Sequence, residues 1–210
     1  MDATVAVTEV NSVGPNTVAI VLESPDGFDA RPGQFVKLSA TVDDEDYARF
    51  YTLSSPDAHD TFEITVGVDP EEAGPFSQHL LDLEAGDELD ISGPFGNEYY
   101  EDESTIVVLA GGPGVGAAVG LAERALRDGG SVALVYKDDA PAHEERLADL
   151  RERGATVVVT DGDLADHVDD VHDDDAQVFV YGFADFVQEA ADAVDAAGGD
   201  PADAKVENFG

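Results

Sequence analysis

The stretch that decides the fold is STIVVLAGGPGVGAAVG, residues 104–120, in which an apolar run leads into closely spaced glycines. The pattern predicts a buried strand over 104–112 and a helix over 114–130. Residues 112–117 fit the spacing G-x-G-x-x-G/A, directly after the strand and at the start of the helix. Small residues let a backbone approach a pyrophosphate, and a helix start offers unpaired N–H groups. The stretch therefore predicts a dinucleotide-binding turn, and a tight turn without a ligand is the alternative.

The second half of the chain continues this alternation of strands and helices, which is typical of a parallel sheet covered on both faces. Asp138 and Asp139 follow the second strand, where an acid can hold a ribose 2′-OH and repel a 2′-phosphate, which favours NADH over NADPH. The alternative is one more exposed acid, because acids are frequent throughout this chain. Further strands are predicted over 131–137, 155–161, 177–182 and 204–209, and further helices over 143–154 and 183–199.

The first half has a different pattern, with short strand-like runs bounded by Pro, Gly or Asp, and this spacing predicts an antiparallel barrel or sandwich. The pattern changes near 99–104, so we predict two domains. Residues 1–100 are expected to form an antiparallel β-barrel, and residues 101–210 an α/β domain with a parallel sheet. The predicted strands of the first half are 4–10, 17–23, 34–40, 49–55, 61–68 and 88–93, with one short helix over 75–83.

The composition narrows the classes of function. The 210 residues carry 47 Asp and Glu against 10 Lys and Arg, a formal net charge of -37, and no Cys. No basic patch is available to bind nucleic acid or an anionic membrane surface, and an iron–sulfur cluster held by thiolates on this chain is excluded. The acids are scattered along the whole chain, which indicates adaptation to a salt-rich cytosol, as in halophilic archaea; a surface that docks a basic partner is the alternative. The sequence shows neither a signal peptide nor an apolar membrane span, so the expected location is the cytoplasm.

A second set of candidate residues lies in the first half. Arg49 and Tyr51 are two residues apart on a predicted strand and therefore point to the same face. A cation there can pair with a phosphate, and a Tyr ring can lie against a flat heterocycle. Downstream, Gly74-Pro75-Phe76-Ser77 begins a short predicted helix and is a potential anion site. The alternative is a half-buried strand followed by an ordinary capped helix.

Together these motifs resemble those of the ferredoxin–NADP reductase superfamily, in which a flavin-binding antiparallel barrel precedes a pyridine-nucleotide domain. The resemblance covers nearly the whole chain, and the motifs occur in the family's order and spacing. The matching residues are Arg49, Tyr51, Thr52 and Ser55 for R-x-Y-[ST]-x-x-[ST], Gly74 to Ser77 for G-x-x-S, Gly93 to Gly96 for G-P-x-G, Gly111, Gly112, Gly114 and Gly116 for the nucleotide loop, and Glu207 to Phe209 for E-x-F.

The resemblance implies FAD and NAD(P)H as cofactors and a role for each matching residue. Arg49 would bind a flavin phosphate, Tyr51 would pack on the isoalloxazine, and Thr52 would lie near flavin N5, so Tyr51 and Thr52 are the catalytic candidates. The five His residues lack metal-ligand spacing, and no metal site is predicted. The further cofactor-binding candidates are Ser55, Gly74, Phe76 and Ser77 in the barrel half, Gly111, Gly112, Gly114, Gly116, Asp138 and Gly182 in the second half, and Phe209 as a shield of the flavin or the nicotinamide pocket.

The implied activity is transfer of a hydride from NAD(P)H to FAD and release of electrons to a ferredoxin-like protein or a small acceptor. The chain departs from the family at Tyr181-Gly182-Phe183, where the family often has Cys-Gly-Pro, and at Pro113 and Ala117 in the loop. Two alternatives therefore stay open: an electron-transfer subunit of a larger complex, and a nucleotide-sensing protein that kept the fold and lost turnover. The sequence carries no signal for an oligomeric state.

Overall fold

The computed structural model describes residues 1–68 and 73–210, and these residues contain two β-sheets. The strands of the first sheet are β1 (Asp2–Gly14), β2 (Thr17–Glu23), β3 (Phe35–Val42), β4 (Glu45–Thr52), β5 (Thr61–Gly67) and β6 (Glu88–Phe95). They pair antiparallel in the order β4-β3-β6-β1-β2-β5. A bridge between Leu53 and Ile64 connects the two edges, so the sheet curves into a barrel.

The barrel has one apolar interior because its strands alternate between buried and exposed side chains. In β5, Phe62, Ile64 and Val66 all point inward. Helix α1 (Pro75–Leu81) packs on the same core through its buried residues Phe76 and Leu80. The alternation that predicted strands is therefore the alternation that builds the core.

The second sheet is parallel, in the order β11-β10-β7-β8-β9. Its central strand β7 (Thr105–Gly111) is buried on both faces, which explains its continuous apolar run. Ile106 and Val108 pack with helices α2 and α3, whereas Val107 and Leu109 pack with α4 and α5. The other strands are β8 (Ser131–Lys137), β9 (Thr156–Thr160), β10 (Gln177–Gly182) and β11 (Lys205–Asn208), and the helices are α2 (Val115–Arg127), α3 (Glu144–Glu152), α4 (Ala165–Val171) and α5 (Ala184–Ala196).

The predicted fold class, an antiparallel β-barrel followed by a parallel α/β domain, is confirmed, while some element bounds differ. Helix α4 was not predicted, because ADHVDDV is acidic and buries only Val168. The strand predicted over 49–55 begins at Glu45 and ends at Thr52. After Thr52 the backbone crosses to β5, where the Ser54 N–H donates to the carbonyl oxygen of Glu63 at 2.7 Å. The end of the Arg49–Ser55 segment therefore does not continue β4 but hydrogen-bonds to β5.

Two features are absent from residues 1–68 and 73–210. None of the helices there is both long and apolar enough to cross a bilayer. None of the His, Asp and Glu side chains there form a group of three or more that could hold a metal ion.

Candidate functional site

The two domains meet around a cavity of about 280 Å³, which we call the central cavity. Five residues predicted from the sequence are brought together there, from motifs far apart in the chain. The barrel contributes Arg49, Phe50, Tyr51, Thr52, Thr65, Gly67 and Ser77, which form the barrel wall. The second domain contributes Pro113, Ala117, Phe183 and Phe209, which form the α/β wall.

Two further cavities adjoin the central cavity and share lining residues with it. The opening therefore extends along the domain junction from the end of β8 to the end of β11. The second cavity, of about 700 Å³, shares Gly67, Ser77, Pro113 and Phe183 and is also lined by Gly112, Asp138 and Asp139. The third cavity, of about 520 Å³, shares Arg49, Phe50, Thr52 and Phe209 and is also lined by Phe35 and Glu207.

Arg49 is an exposed cation on the barrel wall. Its Nη1 donates to the carbonyl oxygen of Ala48 at 2.8 Å, and no described carboxylate forms a salt bridge with it. In a chain with 47 acidic residues, such a cation at a cavity is available to a phosphate. The neighbouring Tyr51 packs against the barrel core, and burial raises its pKa to about 12, so its phenol stays neutral.

The glycines of the loop after β7 are of two kinds. Gly112 has a φ of 53°, and a Cβ there would meet nothing within 4 Å, so its backbone faces open space at the second cavity. A Cβ on Gly114 would lie 2.2 Å from the carbonyl oxygen of Tyr181, so this glycine permits close packing within the protein. An added Cβ would also clash at the other two predicted loop glycines, with the ring of Phe186 at Gly111 and with the side chain of Thr65 at Gly116.

Two neighbouring residues at the start of helix α1 face different surroundings, one the cavity and the other the barrel core. Ser77 lines both the central and the second cavity, and a Cβ on Gly74 would meet nothing within 4 Å. Phe76 is instead 2% exposed and stacks on Tyr47 with ring centroids 6.2 Å apart. Phe76 therefore anchors the helix on the barrel, and its side chain does not reach the cavity as a direct ligand would.

Ser55 and Gly182 lie behind the junction and line none of the three cavities. The Ser55 Oγ accepts the N–H of Glu63 at 3.0 Å, which fixes the chain after β4. A Cβ on Gly182 would lie 2.6 Å from the ring of Phe186, so this glycine also serves close packing.

Asp138 lies at the rim of the second cavity, which Gly112 also lines. Its Oδ2 accepts the Tyr136 hydroxyl proton at 2.8 Å, and its Oδ1 accepts the N–H of Ala140 at 2.9 Å. Burial raises the pKa of Tyr136, so the hydroxyl keeps its proton as a donor. These two contacts fix the orientation of the carboxylate predicted to meet a ribose.

The far end of the junction carries aromatic side chains and one acid. Phe183 and Phe209 form an edge-to-face pair, with centroids 6.0 Å apart and an interplanar angle of 88°. Tyr181 is 1% exposed, lines none of the three cavities, and its hydroxyl has no hydrogen-bond partner among the described residues. Burial raises the pKa of Glu207 to about 7, and the charge of Glu98 acts in the same direction.

Sequence reasoning missed a polar cluster at the domain junction. Arg146 of α3 contacts Glu63 in the barrel and Glu123 in α2, and His143 contacts Thr65. These partners lie 83, 23 and 78 residues apart in the chain, so no local pattern connects them. The sequence offered only a weak signal, because Arg146 is one of three arginines in the predicted helix 143–154.

Residues 4–100 match the family model of the oxidoreductase FAD-binding domain. The match extends from β1 beyond β6 and so covers the barrel. It confirms FAD as the cofactor predicted for the barrel.

Two relatives match a similar part of the chain. A probable dihydroorotate dehydrogenase B (NAD(+)) electron transfer subunit of Methanopyrus kandleri is 35% identical over 132 residues, which are 63% of this chain and 47% of that protein. NADH-cytochrome b5 reductase 1 of Laccaria bicolor is 30% identical over 135 residues, 60% of this chain and 43% of that protein. The chain thus spans less than half the length of these relatives.

Solved structures resemble the chain over its whole length. A ferredoxin NADP+ reductase from Neisseria gonorrhoeae with bound FAD and NADP has a TM-score of 0.81 at 16% identity, covering 100% of this chain and 99% of that one. An Amycolatopsis cytochrome P450 reductase has a TM-score of 0.82 at 24% identity, covering 100% and 70%. The chain therefore has the two-domain fold of ferredoxin–NADP reductases, with a match to the oxidoreductase FAD-binding domain over residues 4–100.

Proposed function

We propose that the chain is an FAD-dependent oxidoreductase that takes a hydride from NAD(P)H and passes electrons to a separate acceptor. The observation that carries the proposal is the central cavity between the barrel and the α/β domain. On its barrel wall lies Arg49, a cation without a salt-bridge partner in the described part of the chain. FAD, when bound, supplies a group that accepts a hydride and releases electrons singly or in pairs.

The residues at the central cavity fit FAD in charge and in chemical character. The guanidinium of Arg49 suits a phosphate, and Ser77 with the unobstructed backbone at Gly74 suits a pyrophosphate. Tyr51 and Thr52 present a neutral ring and a hydroxyl to the same cavity, which suits a flat, uncharged heterocycle. We therefore assign Tyr51 and Thr52 as the residues that contact the reacting part of the cofactor.

The nucleotide side of the proposal depends on the second cavity. Gly112 offers open backbone there for a pyrophosphate, and the oriented carboxylate of Asp138 is a partner for a ribose 2′-OH. An acid at this place disfavours a 2′-phosphate, so we propose NADH as the preferred donor. Gly111, Gly114, Gly116 and Gly182 serve the site indirectly, by allowing the close packing that shapes the loop.

The protein's own part in the reaction is positioning and shielding. Hydride transfer requires the two reacting atoms within about 3–3.5 Å. The barrel wall would hold FAD, and Gly112 and Asp138 at the second cavity would hold NADH. Phe183 and Phe209 would cover the cavity from the α/β wall and exclude water. No side-chain acid or base is required for this step.

The remaining assignments follow from the same junction. We place the domain boundary between residues 100 and 101, because β6 ends at Phe95 and β7 begins at Thr105. Ser55 and Phe76 support the FAD site from behind, Ser55 by fixing the chain after β4 and Phe76 by anchoring α1.

The proposed acceptor is a ferredoxin-like protein or a small molecule. A second candidate is an electron-transfer subunit of a larger complex, which is favoured by the similarity to the electron transfer subunit of Methanopyrus kandleri. The mass of the native complex discriminates between the two: a lone chain supports the free reductase, and a stable hetero-complex supports the subunit.

The acidic surface suits a salt-rich cytoplasm, and we propose a halophilic archaeal host. The basis is the net charge of -37, whose self-repulsion is screened by salt. Thermal unfolding from low to multimolar KCl tests this: a steep rise of Tm with salt supports the proposal, and a flat response contradicts it.

The experiment that tests the function is a visible spectrum of the protein purified in multimolar salt, followed by anaerobic titration with NADH and then NADPH. Flavin bands that bleach on addition support the reductase, and the faster nucleotide reports the role of Asp138. A colourless protein that refuses added FAD overturns the proposal. A yellow protein that neither nucleotide bleaches contradicts the hydride step and favours a subunit reduced by its partner or a nucleotide sensor.

A further inference from the structure

Arg146 joins the barrel to two helices of the second domain. Its Nη1 donates to Glu63 Oε1 at 2.8 Å, and its Nη2 donates to the carbonyl oxygen of Ser54 at 2.7 Å. On the other side, its Nε and Nη2 donate to the two carboxylate oxygens of Glu123 at 2.7 and 2.9 Å. One guanidinium therefore makes four hydrogen bonds, two to the barrel and two to α2.

The barrel contacts of Arg146 lie directly behind the barrel wall. Ser54 follows Thr52 by two residues, at the point where the backbone crosses from β4 to β5. The Ser54 Oγ also donates to Glu63 Oε1 at 2.7 Å, so the carboxylate and the backbone turn form one unit. Movement of this unit would carry Tyr51 and Thr52 with it.

A second contact between the domains lies one helical turn away. The Nε2 of His143 and the Oγ1 of Thr65 are 2.9 Å apart, and Thr65 belongs to the barrel wall. Burial lowers the pKa of His143 to about 3, with Arg146 acting in the same direction, so the imidazole stays neutral. Arg146 and His143 thus connect α3 with β5 and with the segment that directly follows β4.

The cluster is shielded enough for its hydrogen bonds to matter. The side chains of Arg146, Glu63 and Glu123 are only 23, 20 and 17% exposed. Burial opposes the charge of Arg146, but the hydrogen bonds and charges of Glu123 and Glu63 outweigh it and raise its pKa. A lysine could supply the charge without the planar set of donors, so it would replace only part of the contact.

We propose that Arg146 is a positioning residue that fixes the distance between the barrel wall and the α/β wall of the central cavity. It lines none of the three cavities itself, so it acts through Ser54, Glu63 and Glu123. The inference rests on the proposed hydride transfer, because that step depends on the separation of two cofactors, one held by the barrel and the other by the second domain. A misplacement of about 1 Å costs about 100-fold in rate.

The experiment compares Arg146→Gln, Arg146→Lys and the control Arg151→Gln in the full chain loaded with FAD. Arg151 lies on the same helix, and its Nε donates to the carbonyl oxygen of Val157, away from the junction. The FAD content, the KM for NADH and the anaerobic single-turnover rate are measured well below Tm. Calorimetric unfolding of the full chain without added FAD reports the coupling of the two domains independently of activity.

For Arg146→Gln we expect a rate about 10-fold to 100-fold lower, an FAD content and a KM within about threefold of the original, and separate unfolding transitions for the two domains. Arg146→Lys recovers part of the rate, and Arg151→Gln changes neither rate nor cooperativity. An unchanged rate in folded Arg146→Gln overturns the proposal. So does a lower Tm with an unchanged rate, which is the signature of a structural role alone.

If Arg146→Gln does not fold, Glu123→Gln replaces it, because this change leaves one carbonyl oxygen as an acceptor and removes only the charge and the second acceptor. A reduced rate with retained FAD then supports the proposal, and an unchanged rate overturns it. Failure of the proposed function is distinguishable from failure of this inference. If the proposed function is wrong, NADH does not bleach the flavin bands of the original protein. The loss of cooperative unfolding in Arg146→Gln does not depend on activity and is seen in either case.

Discussion

The two walls of the central cavity are built in opposite ways. The barrel wall presents side chains to the cavity, among them Arg49, Tyr51 and Thr52. The loop next to the α/β wall offers bare backbone at Gly112, while Gly114 serves contact with the backbone of β10. The side-chain motifs therefore place Arg49, Tyr51 and Thr52 at the cavity although not every motif residue reaches it, whereas the glycine motif combines ligand approach with protein packing. Only the surroundings of each glycine separate the two uses.

The largest expected effect separates the two kinds of glycine in the loop. Gly114→Ala should lower the free energy of unfolding by about 3 kcal/mol, because the new Cβ would lie 2.2 Å from a backbone oxygen. Gly112→Ala should cost only about 1–2 kcal/mol, the strain of a positive φ without a clash. Denaturant unfolding in high salt measures both, and equal effects would contradict the distinction.

The next effect tests the barrel wall. Arg49→Ala should weaken FAD binding about 10-fold to 100-fold, because it removes a charge-assisted phosphate contact worth about 1.5–3 kcal/mol. Its Tm without FAD should barely change, since its hydrogen bond is to the adjacent carbonyl oxygen of Ala48. Fluorescence titration with FAD measures the Kd, with Arg151→Ala as the control cation. An unchanged Kd would remove Arg49 from the site.

A smaller effect is expected on the nucleotide side. Asp138→Asn should shift the ratio of kcat/KM for NADPH over NADH upward by about 10-fold, because the negative charge facing a 2′-phosphate is lost. The neutral amide keeps an oxygen that accepts the N–H of Ala140, and its Nδ2 can donate to the Tyr136 hydroxyl oxygen, so the fold should be preserved. Steady-state kinetics with both nucleotides measures the ratio. Asp161→Asn, an exposed acid outside the second cavity, serves as the control.

The smallest effect is a pH dependence at the third cavity. The pKa of Glu207 is raised from 4.5 to about 7, so the folded state disfavours its ionised form. The protein therefore loses stability as the pH rises from 4.5 to about 7. Glu207→Gln should therefore raise Tm at pH above 7 and change it little below the ordinary pKa. Thermal unfolding across this range measures the difference. Glu98→Gln should reduce this difference in Tm, because the charge of Glu98 helps to raise the pKa of Glu207. A Tm difference that is the same at all pH values would contradict the raised pKa of Glu207.

The two halves of the chain also differ in how accurately the local sequence pattern predicted the structure and the site. The strand and helix around the glycine loop were predicted within a few residues, because an apolar run and a helical period depend on near neighbours. Arg49, Tyr51, Thr52, Ser77 and Phe209 were predicted and reach the central cavity. Ser55, Phe76 and Gly182 were predicted beside them but face the protein, because the backbone turns away after Thr52 and the start of α1 faces the core.

By itself the sequence determined the order of the strands and of the helices other than α4, the glycine turn after β7 and the scarcity of cations in an acidic chain. These properties depend on composition and on residues close together in the chain. Only the tertiary structure decided which glycine faces open space and what holds Arg146. Its barrel partners Glu63 and Ser54 are 83 and 92 residues away, and no periodicity of the sequence encodes contacts across that separation.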